Sequence, residues 1–176
     1  DKIVIPQKYK KYYSEKILYM PNCYQPNDDM RVISKSEIKR KDQGLPNNAF
    51  VFCSFNNVNK ISTNELTIWS NILNQVEGSV IWLMKPNNIA ENNILNFFKD
   101  KNIKKDRIIF ADNIIQEKHL ERIKLADLFL DTFNYNAHTT CSDALWAGLP
   151  LVTKIGDQLK GRLKERKPLV GYFLSV

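Results

Sequence analysis

The spacing of apolar residues changes character at Ala49. Before it, residues 1–48 are mostly polar, interrupted by Pro6, Pro21, Pro26 and Pro46, with a single short apolar run at Ile17–Met20. That pattern predicts an irregular leading segment with one short helix near Ser34–Lys41. After Ala49, short apolar runs alternate with amphipathic stretches. Phe50–Phe55 reads as a strand. Ser62 and Glu65 predict a capping box, opening a helix in which Leu66, Trp69, Ile72, Leu73 and Val76 recur at helical spacing. Ser79–Met84, rich in β-formers, is a second strand. Glu91–Lys101 reads as a helix burying Ile94, Leu95 and Phe98, followed by a strand at Arg107–Ala111. Glu117–Leu125 is a short helix, Asp127–Leu130 a strand, Thr139–Ala147 a helix closed by Gly148, and Leu151–Lys154 a last strand. Strict strand–helix alternation predicts an α/β fold, a doubly wound, Rossmann-like parallel sheet with helices on both faces.

The junction between the strand at Asp127–Leu130 and the helix at Thr139 is the most informative. Thr140 with Asp143 three residues on is close to a capping box, predicting a polar loop leading into an N-capped helix. The first turn of such a helix carries hydroxyls and N–H groups without helical partners, which suits phosphate. In a parallel sheet this junction lies at the carboxyl ends of the strands, where ligands bind. Lys60 follows the loop Asn56-Asn57-Val58-Asn59 at the same end of the first strand.

Asn136-Ala137-His138-Thr139-Thr140, with Asp143 and Leu145-Trp146-Ala147-Gly148-Leu149-Pro150, resembles the nucleotide-sugar half of the O-linked N-acetylglucosamine transferases. Those are tetratricopeptide-repeat glycosyltransferases that modify Ser and Thr of proteins. Tyr13-Ser14-Glu15-Lys16 with Tyr19-Met20-Pro21, Phe52-Cys53-Ser54-Phe55-Asn56-Asn57 with Lys60-Ile61, and Arg107-Ile108-Ile109-Phe110 with Glu117, His119, Leu125, Ala126-Asp127 and Leu130-Asp131 agree in the family's order. The resemblance runs from about Tyr13 to about Gly156. It implies the C-terminal half of a GT-B glycosyltransferase. No internal repeat appears at solenoid spacing, so the family's repeat array is not in this chain.

The resemblance also assigns roles. Lys60 would contact the diphosphate of a UDP-sugar and offset charge on the leaving group, its bland alternative being a solvated loop lysine. Asn57 would touch the same ligand. His119 would pack near the uridine and Arg122, sharing its helical face, would contact the base; a surface histidine and an exposed arginine are the alternatives. Backbone at Ile114–Gln116 would hold the uracil edge. His138 would orient the loop or approach the diphosphate, Thr139 and Thr140 would hold phosphates, and Asp143 would accept from the ribose hydroxyls; simple capping is the alternative for the last three. Trp69, Trp82 and Trp146 fall in apolar patterns and read as core.

Composition narrows this little. The 176 residues suffice for one domain or slightly more, and 43% hydrophobic residues in periodic runs exclude wholesale disorder. The net charge of +7 is scattered in small clusters, including Lys160 to Lys167, without interleaved stacking aromatics, so no nucleic-acid partner is expected. No apolar run approaches the roughly 20 residues of a membrane span, and no signal peptide is visible. The chain begins without Met, as a fragment would. Cys23, Cys53 and Cys141 lack metal-ligand spacing, Cys53 reading as a small core residue; a reducing cytoplasm is the expected location.

The resemblance implies a metal-independent, inverting transferase moving N-acetylglucosamine from UDP-N-acetylglucosamine to Ser or Thr of a protein, with no separate cofactor. Residues 1–48 form the leading segment, 49–157 the nucleotide-sugar-binding domain, and 158–176 an altered or truncated tail. A helix beginning within Asp157–Arg166, with Arg162 at a matching place, precedes an apolar tail from Leu169 to Val176. The N-terminal catalytic half and the acceptor-binding repeats would be missing partners, leaving this chain inactive alone. Two alternatives stay open: a non-catalytic nucleotide-sugar-binding or interaction module, and a related transferase using GDP-fucose or UDP-glucose.

Overall fold

The computed structural model describes residues 2, 4–21, 24–154 and 173–175. Cys23, Arg162, the helix expected within Asp157–Arg166 and the basic cluster from Lys160 to Lys167 lie outside them. Six strands form one sheet: β1 (Val51–Ser54), β2 (Val80–Met84), β3 (Ile108–Ala111), β4 (Leu128–Leu130), β5 (Leu151–Thr153) and β6 (Phe173–Ser175), in the order β3-β2-β1-β4-β5-β6. Every pairing is parallel. The helices are α1 (Thr63–Gln75), α2 (Asn88–Asp100), α3 (Gln116–Ile123) and α4 (Thr139–Trp146).

Alternation along β1 sends its side chains into two cores. Val51, Cys53 and Phe55 join Trp82, Leu120, Ile123, Phe129 and Ala144 on the α3–α4 face. Phe52 joins Leu66, Trp69, Leu73, Ile81, Ile94 and Phe98 on the α1–α2 face. The sheet is doubly wound as predicted, and its direction of winding reverses between β1 and β4. Ligands of such sheets bind at this reversal, outside the carboxyl ends of the strands.

Local chemistry sets the helix ends. Ser62 and Glu65 form the predicted capping box, with Ser62 N–H donating to Glu65 Oε2 at 2.8 Å and Asn64 N–H to Ser62 Oγ at 3.2 Å. The Asn87 side chain accepts from Ala90 N–H at 2.9 Å, so α2 begins a turn earlier than the apolar pattern suggested. Gly148, at φ +82°, ends α4 in the left-handed region where a Cβ would be strained.

The leading segment departs from expectation. No α-helix forms at Ser34–Lys41; a short 3-10 turn at Arg40–Gln43 stands there instead. Ser34 N–H donates to Glu117 O at 3.2 Å and Ile38 N–H to Glu121 Oε1 at 3.1 Å, and Glu37 takes φ +59°. Donors spent on α3 cannot close helical turns. Arg40 fixes the end of the segment, donating to Leu125 O, Asn47 O and Ala49 O and pairing with Asp127 at 2.8 Å. The apolar tail is also more regular than expected, since Phe173–Ser175 pairs with β5 as β6.

Candidate functional site

At this reversal β4 is followed by Asp131, a carboxylate that is 1% exposed. Oδ1 accepts from Ala137 N–H at 2.7 Å and Asn56 Nδ2 at 3.2 Å. Oδ2 accepts from Asn136 Nδ2 at 2.8 Å and Thr153 Oγ1 at 2.7 Å. One side chain thus ties β1, β4, β5 and the 132–138 loop together. Such multiple hydrogen bonds are what make burial of a carboxylate tolerable. Glu65 reaches the same loop from α1, accepting from Phe133 N–H at 2.9 Å.

Lys60 closes a 3-10 turn, Val58–Lys60. Its Nζ donates to Asn136 O at 3.4 Å and sits over the Tyr135 ring at 4.4 Å. The Asn57 side chain accepts from Asn59 N–H at 3.0 Å and so caps this turn. The ammonium is thus held on the loop that leads into α4.

The predicted capping box at Thr140 and Asp143 does not form. The helix boundary is His138, whose imidazole does not cap it. Thr140 Oγ1 instead donates to Asn56 Oδ1 at 2.7 Å, and Asp143 Oδ1 pairs with Arg31. Asn56, itself held by Asp131, is the better-placed acceptor for the threonine hydroxyl. Among the described residues, the N–H groups of Thr139 and Thr140 donate no hydrogen bond. The positive end of the helix dipole is left without a capping side chain, beside Lys60.

The leading segment covers the outer side of this turn. Tyr24 Oη meets His138 Nδ1 at 2.9 Å, and Gln25 Nε2 donates to Thr139 Oγ1 at 3.1 Å. Trp146, predicted as core, is 41% exposed and stacks on the Arg31 guanidinium at 5.4 Å. Burial pushes the Asp143 carboxyl above its ordinary range, and Arg31 opposes that push.

His119 and Arg122 share one face of α3, as the spacing implied. Arg122 is not an exposed arginine: it is 1% exposed, lying over the Phe55 and Trp82 rings at 5.7 and 5.9 Å. Its Nε donates to His119 Nδ1 at 3.0 Å and its Nη1 to Asp112 O at 2.6 Å. The donated hydrogen bond makes Nδ1 an acceptor and leaves the ring proton on Nε2. Burial, then the Arg122 charge, lowers the His119 pKa to about 4, so the ring is neutral at pH 7. His119 meets Phe55 edge-on at 5.1 Å, which places it at the end of β1.

The profile of glycosyl transferase family 41 matches residues 31–167, more than half of the chain. The chain belongs to glycosyl transferase family 41. It is 37% identical over 158 residues to a probable UDP-N-acetylglucosamine–peptide N-acetylglucosaminyltransferase, SEC, of Arabidopsis thaliana, covering 87% of this chain and 16% of that protein. It is 37% identical over 124 residues to the UDP-N-acetylglucosamine–peptide N-acetylglucosaminyltransferase of Caenorhabditis elegans, covering 70% of this chain and 11% of the relative. The fold is that of a Thermobaculum terrenum O-GlcNAc transferase mutant, with a TM-score of 0.74 at 22% identity over 94% of this chain and 31% of that one. This family-41 chain thus spans under a third of the proteins it matches.

In the family-41 chain the structure gathers Lys60, His138, Thr139, Thr140 and Asp143 around one helix terminus, with His119 and Arg122 joined to it through Phe55. Sequence patterns alone missed Asn56, Asp131, Asn136 and Arg31 as organisers. Asp131 and Asn56 did carry a signal, each being a polar residue directly after an apolar strand; Arg31 carried none. Cys53 and Cys141 are buried and unpaired, with burial raising both thiols, Cys141 to about 12. Among the described residues no group of three or more His, Cys, Asp or Glu could hold a metal ion. No helix among them is long and apolar enough to cross a membrane.

Proposed function

We propose that this family-41 chain is the nucleotide-sugar-binding half of a protein O-linked N-acetylglucosamine transferase of the GT-B type. UDP-N-acetylglucosamine is the donor, and Ser or Thr of a protein is the acceptor. The observation that carries the reading is the uncapped terminus of α4, with the Thr139 and Thr140 N–H groups unspent and the Lys60 ammonium beside them. The helix dipole and free N–H donors, with a lysine on the adjoining loop, are the elements a diphosphate requires. Asp143 accepts from the ribose, and His119, backed by Arg122, lies against the uridine. Asn57 contributes through the turn it caps, and His138 shapes the loop. Residues 49–157 form the nucleotide-sugar-binding domain, 1–48 the irregular leading segment, and 158–176 a truncated or altered tail.

In this reading the acceptor hydroxyl attacks the anomeric carbon directly, inverting it. Lys60 and the helix terminus stabilise charge gathering on the departing UDP without a metal. The other wall of the cleft and the acceptor repeats come from parts of the enzyme outside this chain. The activity in the relatives' names and the chain's small share of their length support its being part of such an enzyme, and the unpaired buried Cys53 and Cys141 suit a cytoplasmic one.

Isothermal titration of the chain with UDP, GDP and UDP-N-acetylglucosamine tests the proposal. UDP is expected to bind weakly in the presence of a chelator. A preference for GDP would transfer the reading to a different donor, and a requirement for a divalent ion would sink the metal-independent mechanism.

A further inference from the structure

We propose that Arg31 is a positioning residue of the nucleotide site: it grips the Asp143 carboxylate by one oxygen and so presents the other to the paired hydroxyls of a ribose. The inference rests on the preceding reading that a nucleotide sits at the α4 terminus.

Arg31 is held on several sides. Its Nη1 pairs with Asp143 Oδ1, its Nε donates to Asp28 O at 3.2 Å, and its guanidinium lies on the Trp146 ring. Trp146 Nε1 donates in return to Arg31 O at 3.3 Å. Asp28 is fixed as well, its Oδ1 accepting from Met30 N–H at 2.8 Å. The two ion-pair side chains are only 11% and 10% exposed. A pair this buried loses much of its Coulomb gain to desolvation and is a poor device for stability alone. It is a good device for aiming a carboxylate.

Among the described residues nothing donates to Asp143 Oδ2, which leaves that oxygen for a ligand. Asp143 lies four residues after Thr139, one helical turn along the same face, so phosphate and ribose contacts fall in line along α4. Burial works against the ionised carboxyl and Arg31 works for it. Without the guanidinium, Asp143 would move toward a protonated group with less acceptor capacity for a diol.

The test is calorimetric titration of the full chain with UDP and 2′,3′-dideoxy-UDP, using wild type, Arg31→Met and Arg31→Lys, with thermal melts to verify folding. Wild type should prefer UDP. Arg31→Met should weaken UDP by about tenfold, the worth of one hydrogen bond to a charged acceptor, while leaving the dideoxy analogue little changed. Arg31→Lys should restore most of the preference. Should Arg31→Met fail to fold, Arg31→Gln, which keeps a hydrogen-bond donor but not the charge, is read in the same way. A variant that keeps the wild-type preference, or loses both ligands equally, overturns the positioning role and leaves the nucleotide reading intact. Wild type that binds both analogues alike removes Asp143 from the ribose and the inference with it. No UDP binding by wild type fails the functional reading itself.

Discussion

The two sides of the α4 terminus are built differently. The inner side is locked from beneath: Thr140 on Asn56, Asn56 on Asp131, and Asp131 on the loop and β5, all within the buried sheet. The outer side is held by a strap of irregular chain: Tyr24 on His138, Gln25 on Thr139, Arg31 on Asp143. The Asn56 and Asp131 contacts are buried and that of Thr140 is half-buried, so water competes with them less. The Tyr24 and Gln25 contacts are exposed and compete with solvent at every moment. A diphosphate site gains from both kinds, a preorganised floor and a rim whose partners a ligand can displace.

Asp131→Ala attacks the floor most severely. It strands donors on Asn56, Asn136, Ala137 and Thr153, and should lower unfolding free energy by about 3 kcal/mol in urea denaturation. A loss below about 1 kcal/mol would mean the floor is not preorganised by this group.

The His119 pair extends the floor under α3 and gives it a pH dependence. Its folded pKa of about 4 lies below the ordinary value of 6.5, so between those values the unfolded chain binds the proton and the folded chain does not. Stability should therefore fall as pH drops from 6.5 to 4, by up to about 2 kcal/mol after discounting for partial exposure. His119→Gln should flatten that slope. Glu121 adds a second decline at lower pH. Its carboxyl feels burial, but hydrogen bonds from Ser36, Ser34 and Ile38 outweigh it and hold the pKa near about 2. Its contribution is present above 4.5 and is lost between 4.5 and 2.

The mildest comparison sets the two threonines against each other. Thr140→Val leaves the Asn56 carbonyl without its donor and should cost about 1–2 kcal/mol of stability. Thr139→Val removes an exposed contact and should cost under about 0.5 kcal/mol, yet weaken UDP binding if its hydroxyl meets phosphate. Equal stability losses in the two variants would erase the distinction between floor and rim.

Sequence periodicity revealed most of the fold because a doubly wound sheet is assembled from short, strongly patterned units. Phe50–Phe55, Ser79–Met84 and the Ser62–Glu65 cap all appear where the pattern placed them. The site was legible as a place, the loop and helix after β4, but less so as a set of contacts. Thr140 and Asp143 looked like a local cap because they stand three apart; their actual partners, Asn56 and Arg31, are far away in the chain, where no local pattern points. The alternative of an exposed Arg122 failed for the same reason. Two aromatic rings and a carbonyl, all distant or out of register, are what make its burial possible. The expected helix at Ser34–Lys41 failed because its backbone donors found better acceptors on α3.

The Asp131 hub also says something about how this chain comes to have a site at all. Its partners at positions 136 and 137 are in the loop that follows it, but those at 56 and 153 adjoin it only after β1, β4 and β5 have been threaded side by side. The bonds from Asn136 and Ala137 are local, but those from Asn56 and Thr153 close long loops, which is entropically slow. The completed hub, with all four bonds in place, is therefore a late product of folding. Competence to hold a nucleotide reports that β1, β4 and β5 have all arrived.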